Sequence, residues 1–226
     1  MRIGVVLAGG EHTRQAIPPV LRDEETFASA LLVAADSGLD LAERIGFVPH
    51  LVVGDFDSVT PEALDRARAR GVEIVEYPTG KDETDLELAL RAAIAREVDR
   101  ILVMGGGGGR LDHLLANVSA IAAPELPVPV EAWMGEQYVT VLDAATTSAA
   151  PPTWRAELPP GATVSVLAWG ADAVVSETGL RWPLDRHLVA VGSTLGVSNE
   201  ALGGPAEITV HQGRAVVILP VSKVLS

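Results

Sequence analysis

The chain has 226 residues, of which 48% are hydrophobic and none is cysteine, and its formal net charge at pH 7 is −13. This length suits one large or two modest domains, and the apolar fraction argues against disorder. The lack of cysteine excludes disulfides and cysteine nucleophiles and fits the cytoplasm, and the acidic balance argues against nucleic acid as a partner. No apolar run reaches transmembrane length and no secretory signal pattern begins the chain, so no membrane association is expected.

Short apolar runs alternate with helical patterns over the first half of the chain. Apolar strands are predicted at residues 3–8, 31–35, 51–53, 72–75, 101–104 and 128–133. Helices are predicted at 39–45, after the N-cap pair Thr60-Pro61, after the capping box of Thr84 and Glu87, and at 111–121. Continuously apolar strands are typical of a parallel sheet covered on both faces, so residues 1–133 predict a doubly wound, Rossmann-like α/β domain.

The pattern changes after Pro127, beyond which no helix is predicted. Strands are expected at residues 138–142, 162–168, 187–191, 207–211 and 215–221, with a hairpin turn at Gln212-Gly213-Arg214 and a loop at 146–152. Residues 134–226 therefore predict an all-β sandwich or partial barrel. Trp169 and Trp182 are expected in its core, although either could stack on an aromatic substrate.

Polar and glycine-rich stretches gather after the predicted strands. They are Gly9-Gly10, Asp36-Ser37-Gly38, Asp55-Phe56-Asp57, residues 81–85 and residues 105–113. Ligands of open α/β sheets bind in the crevice outside the carboxyl ends of the strands. These stretches are therefore expected to converge on one site.

Asp55 and Asp57 follow a buried strand at alternate positions, a spacing that can project both carboxylates into one crevice. Two like charges about 4 Å apart repel by roughly 4 kcal/mol at an effective dielectric of about 20. A bound cation is the simplest group that offsets this repulsion. A solvated pair of aspartates in a polar turn is an equally good interpretation of these residues alone.

The glycine run at residues 105–109 offers bare amides before a predicted helix, which is a natural phosphate site, and a flexible turn is the alternative. It does not match the dinucleotide fingerprint, because Arg110 takes the sixth position. Gly80-Lys81 is not part of a Walker A loop, because Asp82 follows it. Arg110 itself can clamp a phosphate or pair with a surface acid.

Helix capping alone explains Thr84 and Asp85, whereas Lys81 and Asp82 lie before the helix and need another explanation. His113 is a candidate catalytic group or a helical histidine bonded to its neighbour.

Five stretches resemble, in order and spacing, the motifs of the thiamine pyrophosphokinase family. They are residues 35–38 (ADSG), 54–58 (GDFDS), 81–87 (KDETDLE), 108–113 (GGRLDH) and 197–200 (VSNE). The resemblance implies an α/β nucleotide domain, a β-sandwich domain that binds thiamine, and a homodimer with active sites between subunits. The implied reaction transfers the pyrophosphoryl group of ATP to the hydroxyl of thiamine and gives thiamine diphosphate and AMP.

The resemblance also implies roles for individual residues. Asp55, Asp57 and Asp85 would hold Mg²⁺ against the phosphates of the co-substrate ATP, in keeping with the preference of Mg²⁺ for carboxylates and phosphates. The nucleotide would be positioned by Asp36, Lys81, Asp82, Gly108, Gly109 and Arg110. Thiamine would be contacted by Thr84, Asp112, Ser198 and Asn199. Asp112 is also the candidate general base toward the thiamine hydroxyl.

Two other functions remain open. Residues 5–14 are similar to the glycine-rich loop of nucleotidyltransferases, which would use Gly9-Gly10 and Arg14 and release pyrophosphate rather than AMP. His12 replaces a glycine that this loop needs. A non-catalytic thiamine or nucleotide sensor would bind its ligands without turnover.

Overall fold

The computed structural model describes residues 1–11, 17–124, 126–146 and 150–223, and the chain divides into two compact units, residues 1–136 and 137–226. His12, Arg14 and part of the loop expected at 146–152 lie outside the described residues. Within the described ranges, no helix is long and apolar enough to cross a membrane.

The first unit contains a six-stranded parallel sheet. Its strands are β1 (Ile3–Ala8), β2 (Leu31–Ala35), β3 (Leu51–Gly54), β4 (Glu73–Glu76), β5 (Arg100–Met104) and β6 (Val130–Met134). They lie in the order β6-β5-β1-β2-β3-β4. The order reverses between β1 and β5, and such a switch point opens a crevice at the carboxyl ends of the strands.

Two of the helices of the first unit begin at N-caps that the sequence predicts. The helices are α1 (Glu24–Ser29), α2 (Gly38–Ile45), α3 (Pro61–Ala69), α4 (Asp85–Ile94) and α5 (Leu111–Ile121). The Thr60 and Thr84 hydroxyls accept hydrogen bonds from Ala63 N and Glu87 N, so both predicted N-caps are confirmed. Of these helices only α1, a short one with no buried residue, was not predicted.

The second unit consists of antiparallel strands. They are β7 (Gln137–Asp143), β8 (Thr153–Leu158), β9 (Thr163–Ala168), β10 (Ala173–Thr178), β11 (Leu184–Val189), β12 (Asn199–Glu200), β13 (Gly204–Gln212) and β14 (Arg214–Pro220). Within this unit the strand orders are β12-β9-β14-β7 and β11-β10-β13-β8. Its described part contains no α-helix, only a 3-10 turn at Val221–Lys223, as the sequence predicts.

Several details of the second unit differ from expectation. Strands β8, β10 and β12 were not predicted, because charged and polar residues interrupt their apolar pattern. Trp182 is 54% exposed, so its expected place in the core is wrong, and Trp169 is half-buried. A tight turn is present between Gln212 and Arg214, with a φ of +74° at Gly213, but the predicted hairpin is wrong. Strand β13 pairs with β10 and β8, whereas β14 pairs with β7 and β9, so the turn connects two sheets.

Candidate active site

A cleft of about 560 Å³ lies in the first unit, and residues that follow β1, β2, β3 and β5 line it. The expected convergence of the strand-end stretches is thereby confirmed for the first unit. The predicted site residues that line it are Gly9, Gly10, Asp36, Asp55, Asp57, Lys81, Thr84, Asp85, Gly108, Gly109 and Arg110. Asp82 and Asp112 are not among its lining residues.

Asp36 is the buried acid of this cleft, with 6% of its surface exposed. Its backbone N–H donates to the carbonyl of Val53 at 2.8 Å, which ties the end of β2 to β3. A side chain at position 54 would bring its Cβ to 3.0 Å from Asp36 Cβ, so Gly54 permits this close approach. Burial raises the pKa of the Asp36 carboxyl, and its Oδ1 has no hydrogen-bond partner within the described ranges.

Three carboxylates converge beside this buried oxygen. One oxygen from each of Asp36, Asp55 and Asp57 lies within 4.8 Å of the others. Oxygens that bind one octahedral Mg²⁺ at about 2.1 Å lie about 3.0 Å apart when adjacent and about 4.2 Å apart when opposite, so the three carboxylates can share one ion if they draw closer together. The Ser58 hydroxyl donates to Asp57 Oδ1 at 2.8 Å and helps to hold that carboxylate.

Phe56, between the two aspartates, and Asp36 both have backbone angles in the left-handed region, with φ of +59° and +45°. Non-glycine residues seldom adopt this conformation, and such strain concentrates at functional sites.

Lys81 places a positive charge on the other side of Asp55. Its Nζ lies 3.0 Å from Asp55 Oδ2 and 3.0 Å from Asp85 Oδ1. The hydrogen bond from Lys81 lowers the pKa of Asp55. Burial lowers the pKa of Lys81, but its bonds to Asp55 and Asp85 outweigh burial, so the pKa of Lys81 is raised overall. The structure therefore groups Asp36 with Asp55 and Asp57, whereas the sequence grouped Asp85 with them.

The glycine turn after β5 packs against the end of β1. A side chain at position 105, where φ is +92°, would overlap the carbonyl oxygen of Ala8. Gly106 N donates to Gly9 O at 2.6 Å, and Asn117 Nδ2 on α5 donates to Gly106 O at 2.9 Å. The turn is thus held from both sides next to the N-terminus of α5, as a phosphate-binding loop would be.

Arg110 and Asp112 form an ion pair with each other. Arg110 Nε donates to Asp112 Oδ1 at 3.1 Å, and Nη2 donates to Oδ2 at 2.5 Å. The hydrogen bond from Arg110 lowers the pKa of Asp112 to about 2. A carboxylate with so low a pKa is a weak base, so this geometry does not favour the predicted role of Asp112 as general base.

Ser198 and Asn199 belong to the second unit. Ser198 is exposed and has a φ of +61°, whereas Asn199 is only 5% exposed. The Asn199 amide bonds to Glu177, to both backbone groups of Trp182 and to Glu200 N. Its polar atoms are already paired, which argues against the predicted contact of Asn199 with thiamine.

Sequence reasoning missed several residues that line the cleft, and Ser58 and Asn117 are two polar ones. Ser58 follows Asp57 directly, and its hydroxyl could have been recognised as a partner for the aspartate. Asn117 lies four residues after His113 on α5, and helical spacing places both on one face.

Two family models match the chain. The model of the thiamin pyrophosphokinase catalytic domain matches residues 24–128, and that of the thiamin pyrophosphokinase vitamin B1 binding domain matches residues 155–215. The thiamine pyrophosphokinase of Bacillus subtilis (strain 168) is 26% identical over 218 residues, which cover 94% of this chain and 96% of that protein. Thiamin pyrophosphokinase 1 of Caenorhabditis elegans is 26% identical over 183 residues, or 74% of this chain and 70% of that protein.

Solved structures give the same result. The crystal structure of thiamine pyrophosphokinase from Bacillus subtilis has a TM-score of 0.75 at 26% identity and covers 97% of this chain and 99% of that one. The enzyme from Geobacillus thermodenitrificans has a TM-score of 0.72 at 29% identity and covers 97% of both chains.

Proposed function

The chain belongs to the thiamine pyrophosphokinase family, and we propose that it transfers the pyrophosphoryl group of ATP to the hydroxyl of thiamine, with release of AMP. It is an enzyme of the thiamine diphosphokinase class. The observation that carries the proposal is the cleft of the first unit, where three carboxylates, one lysine and a glycine turn meet.

The glycine turn and Lys81 supply the groups that receive phosphates. Gly108 and Gly109 line the cleft before the N-terminus of α5, which attracts anions. Lys81 is cationic, lines the same cleft and pairs with Asp55 and Asp85. Pyrophosphoryl transfer depends mostly on positioning and on neutralising charge, so these groups do the main work on the nucleotide.

The carboxylates suit a magnesium ion. The fit rests on Asp36 Oδ1, which is buried and unpartnered within the described ranges, and on the oxygen-only donor set. We assign Asp36, Asp55 and Asp57 as residues that would hold the ion, and Asp85 remains a predicted fourth ligand. When bound, the ion neutralises negative charge on the phosphates.

Thiamine brings a thiazolium cation, which an acidic cleft attracts. Thr84 lines the cleft in the first unit, and Ser198 is an exposed hydroxyl in the second. Contacts of thiamine with these residues are part of the proposal. A homodimer with active sites between subunits and a cytoplasmic location stay predictions that follow from the resemblance and from composition.

One incubation of the purified chain with thiamine, ATP and Mg²⁺, followed by chromatography, tests this function. We expect equal amounts of AMP and thiamine diphosphate, and no product after addition of a chelator. Release of pyrophosphate instead of AMP would indicate the nucleotidyltransferase alternative. Intact ATP together with bound thiamine would indicate a sensor.

A further inference from the structure

The second unit contains a buried acid that the proposed chemistry does not use. Glu177 on β10 has no exposed surface. Its Oε2 accepts a hydrogen bond from Asn199 Nδ2 at 2.8 Å, and its Oε1 has no hydrogen-bond partner within the described ranges. Burying a carboxyl oxygen without a hydrogen-bond partner costs free energy, so a buried acid of this kind calls for a structural or functional explanation.

Asn199 connects the Glu177 carboxyl to the backbone of Trp182 and Glu200. Its Nδ2 also donates to Trp182 O at 2.8 Å, and its Oδ1 accepts from Trp182 N at 3.1 Å. The same Oδ1 accepts from Glu200 N at 2.9 Å. One side-chain amide therefore fixes both polar groups of the Trp182 backbone while the Glu177 carboxyl fixes that amide.

The segments joined in this way run side by side. Arg181 N donates to Glu200 O at 2.8 Å, and Leu202 N donates to Gly179 O at 3.0 Å. Next to the paired Asn199 stands exposed Ser198, whose left-handed φ of +61° needs support from its surroundings. The indole of Trp182 is likewise 54% exposed. A buried pair thus holds the backbone beneath two exposed side chains.

We propose that Glu177 is a positioning residue that acts through Asn199 on the backbone of Trp182 and on the turn at Ser198, and so sets the affinity for thiamine. The inference rests on the proposed function, in which the second unit contributes Ser198 to the thiamine site. It assigns Asn199 a supporting place under the site instead of a contact with the substrate. What matters is the acceptor oxygen of Glu177 and not a negative charge.

Three variants of the full chain separate these statements. Glu177→Met removes the acceptor and keeps an unbranched side chain of similar length. Glu177→Gln keeps an acceptor oxygen without an ionisable group. Ser176→Ala is the matched control, because Ser176 lies next to Glu177 on β10 and bonds to His211 and Arg186. Among the described residues, it has no bond to Asn199.

The readouts are KM for thiamine, KM for ATP, kcat, and hydrogen exchange at the amides of Trp182 and Glu200. For Glu177→Met we expect a rise of about tenfold in KM for thiamine, with KM for ATP and kcat within about twofold of wild type, because loss of one buried hydrogen bond has about this effect. The two amides should exchange faster. Glu177→Gln and Ser176→Ala should behave as wild type does in all four readouts.

An unchanged KM for thiamine in folded Glu177→Met, or an equal rise in both KM values, would overturn the proposal. Equal impairment of Glu177→Gln would overturn the role of the acceptor. If Glu177→Met does not fold, Asn199→Asp replaces it: this variant keeps Oδ1 but loses the donor to both Glu177 and Trp182 O, so the same selective rise in KM for thiamine is expected. A wild-type chain that makes no AMP refutes the proposed function. In that case the hydrogen exchange at the Trp182 and Glu200 amides still tests whether Glu177 positions this backbone.

Discussion

Lys81 Nζ lies 3.0 Å from Asp55 Oδ2, and only 9% and 12% of the two side chains are exposed. The same ammonium lies 3.0 Å from Asp85. A single lysine therefore offsets part of the negative charge of two carboxylates, one of which belongs to the cluster with Asp36 and Asp57. Because this charge is largely removed from solvent, it acts more strongly than a surface lysine would.

Replacement of this lysine should reduce the use of ATP. Lys81→Met leaves two carboxylates without their cation, so the cleft becomes more negative where ATP phosphates must bind. We expect kcat/KM for ATP to fall by about a hundredfold, which corresponds to about 2.7 kcal/mol. Lys81→Arg, which keeps the charge, is the control and should retain more activity. Steady-state kinetics at saturating thiamine measures both, and an unchanged kcat/KM in Lys81→Met would contradict the assignment.

Asp36→Asn should change stability and metal affinity in opposite directions. The variant removes a carboxyl whose pKa is raised mainly by burial and to a smaller extent by Asp85 and Asp57, so the free energy of unfolding should rise by about 1 kcal/mol. It also removes a proposed ligand, so Mn²⁺ should bind about tenfold more weakly in a titration followed by electron paramagnetic resonance.

Asp82→Asn is the matched control for this experiment, because Asp82 is exposed and does not line the cleft. Its Mn²⁺ affinity should equal that of wild type. An Asp36→Asn chain with wild-type affinity for Mn²⁺ would remove Asp36 from the ligand set.

The family, the enzyme class and the fold class were predicted from the sequence and are confirmed. Local rules account for much of this success, since the caps at Thr60 and Thr84 and the apolar strands 3–8 and 31–35 are set by neighbouring residues. Strand β10 was missed for a physical reason: Glu177 is polar but completely buried, and no pattern rule expects an acid in a core.

The sequence predicts most of the charged residues that line the cleft, but it does not predict which of their side chains contact each other. The strand-end rule brings Asp36, Asp55 and Asp57 to one crevice, yet sequence spacing cannot say which carboxylate faces Lys81. The close approach of Gly54 to Asp36 is a contact between two strands, which sequence spacing does not show either. The pairing of Arg110 with Asp112 is likewise a matter of side-chain conformation.

Asp112→Asn should leave turnover nearly intact. Since the hydrogen bond from Arg110 keeps the pKa of Asp112 at about 2, the carboxylate is ionised throughout the working range and accepts protons poorly. We expect kcat to stay within about threefold of wild type, whereas loss of a true general base costs roughly a hundredfold or more. The pH profile of kcat tests this independently: its acid limb should be the same in both proteins, and its loss in the variant would restore Asp112 as the base.

Glu177 should make the second unit less stable as pH rises. Burial raises the pKa of Glu177 above its ordinary value of 4.5, so the folded chain holds a proton that the unfolded chain releases. Between 4.5 and the raised pKa, the free energy of unfolding should fall with pH by up to about 1.4 kcal/mol per unit. Glu177→Gln cannot release this proton, so the difference in unfolding free energy between it and wild type should be constant below 4.5 and grow above it. Urea denaturation across this range measures the difference, and parallel curves for the two proteins would show that Glu177 is ionised in the folded state at its ordinary pKa.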